Sequence, residues 1–469
     1  MNIFFARWKW GFHANRLLVI AIFTVLANLL LVVNPGFYNH DEWQRYDFLM
    51  AHGLRAFIEK FGVLREGLSF RTPVRPLGFI QQGLTAYWMK TTPQFAHLFD
   101  VILHAVVAII FFKVLVIAHM RRNTALLASL IFSVSPLTAL ATGWSAASFD
   151  QWYALFALLA VGTTIAIMQT GLSGWKLLIV GLCSSAAILS KETALMLPLA
   201  MAGGATGYRI HGGEKILWRR MLPVCCIAAV PIAIYMAVRF PALLRSMQQH
   251  SDGAYALGLR NVLPNILGYL EFPFIPRLGE MVSIVFVAQP ARHAALLVHA
   301  VLILMIAIGA NWKAAVAYVF AYGVFLLPVI AIANTGSHYL YASGFGLSAA
   351  LAWLITVPRK KPLGKIVALF GVACLCITLL HSYYLQTEIY NDGVCQRTFL
   401  TGLDAAMTSR QGSGAKTGVI EWNAGTPIYL GSRAIFGRDQ YKSISFEKEP
   451  HAGALNPGAI HMDAGCEIR

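Results

Sequence analysis

Apolar runs of about 18–20 residues recur along this chain, each long enough to cross a hydrocarbon core of roughly 30 Å as helix. Inside lipid a backbone must satisfy its own hydrogen bonds, so this pattern leaves one class of fold open, an all-α bundle. The composition agrees, with 57% hydrophobic and only 12% charged residues and a mean hydropathy of +0.61.

Lys and Arg collect in the short gaps between runs: "HMRRN" at 119–123, "YRIHGGEKILWRR" at 208–220 and "PRKKPLGK" at 358–365. By the positive-inside rule these gaps are cytoplasmic, which threads about eleven spans. They fall at 14–33, 97–118, 124–142, 151–170, 175–190, 193–208, 221–240, 293–310, 313–333, 338–357 and 365–383. The N-terminus is then inside, with the first run as an uncleaved signal anchor behind Arg7, Lys9 and Arg16. The formal charge of +16 is spent on threading, which argues against nucleic acid as a partner. Seven cysteines without a CxxC pair give no metal motif.

Two long segments, 34–96 and 241–292, fall outside. The first carries an amphipathic pattern. Met50, Leu54, Phe57, Ile58 and Phe61 share one face, opposite Gln44, Arg45, His52, Arg55 and Glu59. That suits a helix lying in the membrane interface, or one packed in a soluble lobe. From 384 the chain changes character, with eight basic and nine acidic residues and strand-like runs "TGVIEW" and "YKSISF" behind a helix-like stretch near 396–410. We read two units, a membrane domain over 1–383 and a small extracytoplasmic α/β domain over 384–469. Of twelve acidic residues before that tail, only Glu214 falls in a cytoplasmic gap. Chemistry that uses carboxylates therefore belongs to the outer face.

Asp41 and Glu42 directly follow the first run. As adjacent like charges near lipid they are costly. They read either as an acidic cap on the amphipathic helix or as a general base with a supporting carboxylate. Arg71 and Arg75 lie in the same loop, as solvated charge or as guanidinium groups for a phosphate. Lys191 and Glu192, in "SKET", sit between two apolar runs with almost no loop, either as an ion pair serving topology or facing a cavity. His97, Asp100 and His104 share one helix face, for a hydrogen-bond network or a metal. Asp150 begins the fourth span. His338, Tyr339 and Tyr341 begin the tenth, where an aromatic belt is the plain reading of the tyrosines.

These residues, in this order, resemble the GT-C superfamily of membrane glycosyltransferases, nearest to the bacterial relatives of the transmembrane tetratricopeptide-linked O-mannosyltransferases. "HDEW" resembles the acidic pair of the first external loop, which gives Asp41 the role of catalytic base with Glu42 beside it. "VRPLGFIQQGLTAYW" is similar to an Arg-Pro-Leu stretch and points to Arg75. "HLFDVILHAVVAIIFF" is similar to a His-Leu-x-Asn-x-x-x-His helix, with Asp100 where Asn is usual. "GWSAASFDQWYALFALLA" carries the matching Asp150, and "SKETALMLP" points to Lys191 and Glu192. "SHYLYAS" resembles Arg-Tyr-Leu-Tyr, with His338 in place of Arg. The tail shows no 34-residue period, so tetratricopeptide repeats are absent.

The resemblance implies an inverting glycosyltransferase of the inner membrane. It would move a sugar from a polyprenyl-phosphate donor to an envelope glycan, lipid or protein on the outer face. Asp41 would take the acceptor proton, and Arg75 and Lys191, with Glu192 and His338, would hold the donor phosphate. A divalent cation is allowed but not required. Rival readings are a polysaccharide polymerase or ligase, a transporter or flippase of lipid-linked substrate, and a non-catalytic assembly subunit. One expectation is independent of the family. Cys395 and Cys466 are the only cysteines in the tail, and in an oxidising compartment they should pair.

Overall fold

The computed structural model describes residues 10–36, 40–62, 75–89, 92–210, 218–249, 257–275, 289–333, 335–356, 362–411, 418–422, 431, 435, 444–448, 460–463 and 466–468. The first apolar run forms α1 (Trp10–Ala27), breaks at Asn28 and resumes as α2 (Leu29–Val32). Two helices follow in the first long loop, α3 (His40–Phe57) and α4 (Pro76–Met89). The bundle continues as α5 (Gln94–Ile117), α6 (Arg122–Ser133), α7 (Pro136–Gly143), α8 (Ser148–Thr170), α9 (Gly174–Ile188) and α10 (Leu197–Ile210). Then come α11 (Trp218–Gln249), α12 (Val262–Glu271), α13 (Gln289–Gly309), α14 (Trp312–Gly323), α15 (Ser343–Thr356) and α16 (Pro362–Gln411).

Five stretches are long and apolar enough to cross a membrane: Gln94–Ile117, Ser145–Thr170, Trp218–Arg239, Ala291–Gly309 and Pro362–Thr408. A sixth is added if α6 and α7, bent by 52°, act as one span. Among the described residues this criterion stops short of the eleven expected; α1, α9, α14 and α15 are apolar but shorter. The outward faces of α9, α11 and α16 carry Leu182, Leu222, Ile234 and Leu369, each more than half exposed. Lipid tolerates such a surface and water does not. The chain is an integral membrane protein.

Small residues let the helices approach closely, as lipid-embedded packing requires. α8 buries Ala154, Ala157, Ala160 and Gly162 as it runs beside α5 and α9. On α10, a Cβ at Gly203 would strike the Phe320 ring. Polar side chains add bonds between helices. Thr24 meets the Ser133 hydroxyl at 2.7 Å, Asn28 donates to the Ser133 carbonyl at 2.9 Å, and Gln386 donates to Asn28 at 3.2 Å.

In the first loop, Gly53 takes φ +79° and breaks α3 near its end. The kink divides the expected apolar face: Phe57 is fully buried while Met50 is 53% exposed. A Cβ at Gly83 of α4 would strike Phe57, so part of the stripe is turned onto α4 rather than onto the membrane. α4 itself was not evident from hydropathy. Pro76 stands at its first position, where a missing N–H costs nothing.

α16 runs through position 383 without a break for 50 residues, about 75 Å of helix. Its far end packs on three parallel strands, β1 (Gly418–Trp422), β2 (Ile444–Lys448) and β3 (Ile460–Met462), in the order β2-β1-β3. Gly418 stands opposite Ile444, and Ile420 opposite Ile460. Phe399, Leu400 and Leu403 of α16 form a core with Ile420, Ile435, Ile460, Met462 and Cys466. Trp43 of α3 and Ala96 of α5 belong to the same core. Cys395 and Cys466 are joined by a disulfide, with Cα atoms 5.2 Å apart.

Candidate active site

Two polar clusters meet on the short segment that links α7 to α8. Its middle is a 3-10 turn, Ser145–Ala147, followed at once by Phe149 and Asp150 in the first turn of α8.

The first cluster is built from neutral donors around carboxylates. Asp100, fully buried on α5, accepts from Gln81 Nε2 of α4 and from the Ser145 hydroxyl. Glu42, buried on α3, accepts from the Ala146 N–H at 3.4 Å. Adjacent residues of one turn thus hold both carboxylates. Gln82 donates to the Ser145 carbonyl at 3.1 Å and accepts from Arg45, whose guanidinium lies 5.2 Å from the centre of the Phe79 ring. The Trp152 indole donates to Gln81, closing the cluster against α8. Asp41 is the second residue of α3; its side chain lies outside the described residues, as does Arg71 altogether.

The three polar residues on the α5 face go to three different places. His97 Nε2 donates to the Gly36 carbonyl at 2.8 Å, Asp100 joins the cluster above, and His104 Nδ1 accepts from the Tyr341 hydroxyl at 2.7 Å. Tyr341 is therefore a buried partner within the bundle, not a member of an interfacial belt. No group of three His, Cys, Asp or Glu is assembled for a metal ion among the described residues.

The second cluster is a quartet of charges. Lys191 bonds both carboxylate oxygens of Asp150, and Arg75 Nη2 bonds Glu192 Oε2 at 2.6 Å. The first pair is almost fully buried, with side chains 6% and 1% exposed; the second is partly open, at 23% and 27%. Lys191 and Glu192 do not pair with each other, contrary to the simplest reading of "SKET". Lys191 is extended (φ −160°, ψ 143°) just before the 3-10 helix Glu192–Met196. Successive side chains on extended backbone point to opposite sides, so each residue finds its partner elsewhere. Tyr235 of α11 donates to Glu192 Oε1 at 3.0 Å. Lys191 Nζ sits 4.4 Å from the centre of the Tyr339 ring, and Arg75 stacks 5.1 Å from that of Phe149.

The charges are set by this company. Burial alone would raise the Glu192 carboxyl, but the Arg75 guanidinium outweighs it and holds the pKa at about 2. Burial lowers Lys191 to about 8 against the pull of Asp150. Burial also keeps His338 well below its usual value, and Lys191 and Arg75 add to the effect. His338 is thus a neutral imidazole within the field of two cations and adds no positive charge of its own. Two nitrogens at the quartet are unused: Arg75 Nε–H, a donor, and His338 Nδ1, a donor or acceptor by tautomer, are buried and have no hydrogen-bond partner among the described residues.

Arg75, Asp150, Lys191, Glu192, His338 and Tyr339 are brought together here from four stretches of chain, all at helix ends or breaks. Glu42 and Asp100 lie next door; His97, His104 and Tyr341 do not join. The sequence reading missed Gln81, Gln82, Ser145 and Tyr235. Two adjacent glutamines in an apolar helix were a usable signal for the first pair. Tyr235, one aromatic among many in an apolar run, offered none.

No family profile and no curated protein matches the sequence. Among solved structures, the fold is similar to the oligosaccharyltransferase of Archaeoglobus fulgidus in complex with zinc and sulfate. That match has a TM-score of 0.44 and 11% identity over 87% of this chain and 60% of that one. The chain thus spans about three fifths of the archaeal enzyme. It is also similar to apo ArnT from Cupriavidus metallidurans, with a TM-score of 0.45 and 12% identity over 92% of this chain and 86% of that one. At this level of similarity the functional reading rests on the residues themselves.

Proposed function

We propose that this protein is a GT-C glycosyltransferase that moves a sugar from a polyprenyl-phosphate donor to a hydroxyl on the outer face of the inner membrane. The observation that carries the reading is the quartet with its two unused nitrogens. Arg75 and Lys191 are both cationic, both held near the outer ends expected for their helices, and both already matched by a carboxylate. A phosphate entering between them takes up Arg75 Nε and His338 Nδ1 and competes with Glu192 and Asp150 for the cations. Both cations are already in place and buried, so the phosphate meets preorganised positive charge, which it shares with the two carboxylates.

The acceptor oxygen attacks C1 of the sugar, and the bond from C1 to the phosphate oxygen breaks with its electron pair passing to the phosphate. The acceptor proton goes to Asp41. A single displacement of this kind inverts the anomeric centre. Glu42 is held on the Ala146 N–H beside that base and orients the acceptor. A divalent cation, if one takes part, would fall to the Asp41–Glu42 pair; the two cationic side chains make it dispensable for neutralising the phosphate. Acceptors of this chemistry are an envelope glycan, a lipid or a protein.

The test is transfer from polyprenyl-phosphate sugars in membrane vesicles. Asp41→Asn keeps the shape but cannot take the proton, so turnover should fall by about 10²-fold or more. Glu42→Gln should cost less. Near-normal turnover of a folded Asp41→Asn protein would overturn the assignment.

A further inference from the structure

The disulfide lies far from the charge quartet in sequence, yet a short line of contacts leads from it to the acidic helix. Cys395 is followed by Gln396, which is fully buried. Gln396 Oε1 accepts from Trp43 Nε1 at 2.9 Å. Trp43 is the neighbour of Glu42, whose carboxylate rests on Ala146. The Trp43 ring is itself part of the core that the tail strands build around Phe399, Ile420 and Ile460.

A second line runs parallel to the first, two turns earlier on α16. Asn34 donates to the Ile389 carbonyl at 3.0 Å and accepts from the Gly36 N–H at 3.0 Å. Gly36 also takes the His97 bond. A Cβ on Gly36 would strike the backbone of Gly393, and one on Gly393 would strike the Asn34 side chain. α16 therefore holds the chain just after the first span through Asn34 and Gly36, and holds α3 itself through Trp43.

We propose that Trp43 and Gln396 are positioning residues, and that the Cys395–Cys466 bridge makes the tail a clamp that sets the acidic pair of α3 against the Ser145–Ala147 turn. The bridge spans 71 positions and ties Cys466 to α16 one residue from Gln396. Opening it frees the last strand-side wall of the core in which Trp43 is seated. The bonds that fix α3 from its other side, through Arg45 and Gln82, remain. Glu42 and Asp41 would then move relative to the quartet while the quartet itself stays intact. The clamp makes transfer sensitive to the thiol state of the compartment that holds the tail. The functional half of this inference rests on the glycosyltransferase reading; the mechanical half does not.

The test uses the full-length protein in detergent or nanodiscs, with three variants: Cys395→Ser with Cys466→Ser, Gln396→Leu, and Trp43→Phe. Hydrogen exchange over 40–57 reports the clamp directly. Exchange there should quicken by about tenfold in each variant, and in the wild type after reduction, while α5 and α8 remain protected. In the transfer assay kcat should fall about tenfold with the donor KM unchanged, because the phosphate site is untouched. Unchanged exchange over 40–57 in all three variants overturns the proposal. Faster exchange with unchanged transfer leaves the clamp standing and removes its link to catalysis. Faster exchange with no transfer even in the wild type keeps the clamp and counts against the glycosyltransferase reading instead. A general loss of protection in the cysteine variant would mean misfolding; Trp43→Phe, which keeps an aromatic side chain in the core but loses the indole N–H that Gln396 accepts, then decides.

Discussion

The two clusters on either side of the 144–150 segment solve the problem of buried charge differently. Around Asp100, neutral groups fix a carboxylate by shape: Gln81 and Ser145 each have one place to donate. Around Asp150 and Glu192, cations fix carboxylates by charge, an attraction that depends less on the partner's shape than a neutral hydrogen bond does. A network fixed by shape holds a group in place. A network fixed by charge can take up a new anion without stranding an old cation, since the displaced carboxylate need move only a little. On the function proposed above, the quartet is the place to receive the donor phosphate, and the neutral cluster is the frame beside it.

The largest expected effect breaks the quartet. Lys191→Ala leaves the Asp150 charge unpaired in a buried site, which costs about 3–5 kcal/mol and should show as a marked fall in the unfolding temperature of the solubilised protein. Replacing both partners, Lys191→Met with Asp150→Leu, should restore most of that stability. Transfer should remain about 10²–10³-fold down in the double variant, as a site loses when charge aimed at the transition state is removed. A double variant that recovers both stability and transfer would make the pair structural only.

A smaller effect follows from the depressed Lys191 value, about 8 against an ordinary 10.5. Phosphate binding needs the protonated amine, so transfer should fall as pH rises through about 8. Stability should move the other way. Between about 8 and 10.5 the unfolded chain binds more protons at this position than the folded one, so this contribution rises with pH. Lys191→Arg should move the alkaline limb of transfer out of range, since a guanidinium stays charged throughout. An alkaline limb that stays put in Lys191→Arg would assign it to another group.

The difference between the clusters also explains what the sequence could reveal. Lys191, Glu192 and Asp150 are conspicuous because charge is rare beside apolar runs, whereas Arg75 lies in a long loop where solvated charge reads equally well; it was the ordered set that pointed to a site. Their pairing was not legible, because it depends on one extended residue, Lys191, that throws neighbours to opposite sides. The neutral cluster was legible only in its carboxylates, Asp100 and Glu42, and in the paired glutamines; the rest was not. Gln81, Gln82 and Ser145 are ordinary residues in ordinary helices, and only the contact of α4 with the 145–147 turn gives them a task. The length of α16 was hidden for a similar reason: its hydropathy falls off near 383, but a helix can leave the membrane without ending. The kink at Gly53 follows from a backbone choice that an apolar stripe does not record.

The smallest effect tests whether the first cluster is held by shape alone. Asp100 stands where the resemblance leads one to expect Asn, and its two partners are an amide and a hydroxyl. An Asn can accept from Gln81 through its oxygen and donate to the Ser145 oxygen through its amide, since a hydroxyl serves as donor or acceptor. Asp100→Asn should therefore change transfer by less than about threefold and stability by less than about 1 kcal/mol, the net worth of one hydrogen bond. Asp100→Leu, of similar size but without polar atoms, leaves Gln81 Nε2 unsatisfied in a buried site and should cost about 1–3 kcal/mol. The parallel substitution Asp150→Asn should not be tolerated, because an amide cannot neutralise Lys191. If Asp100→Asn proves as damaging as Asp150→Asn, then the charge on Asp100 matters, and the line between a cluster held by shape and one held by charge has been drawn in the wrong place.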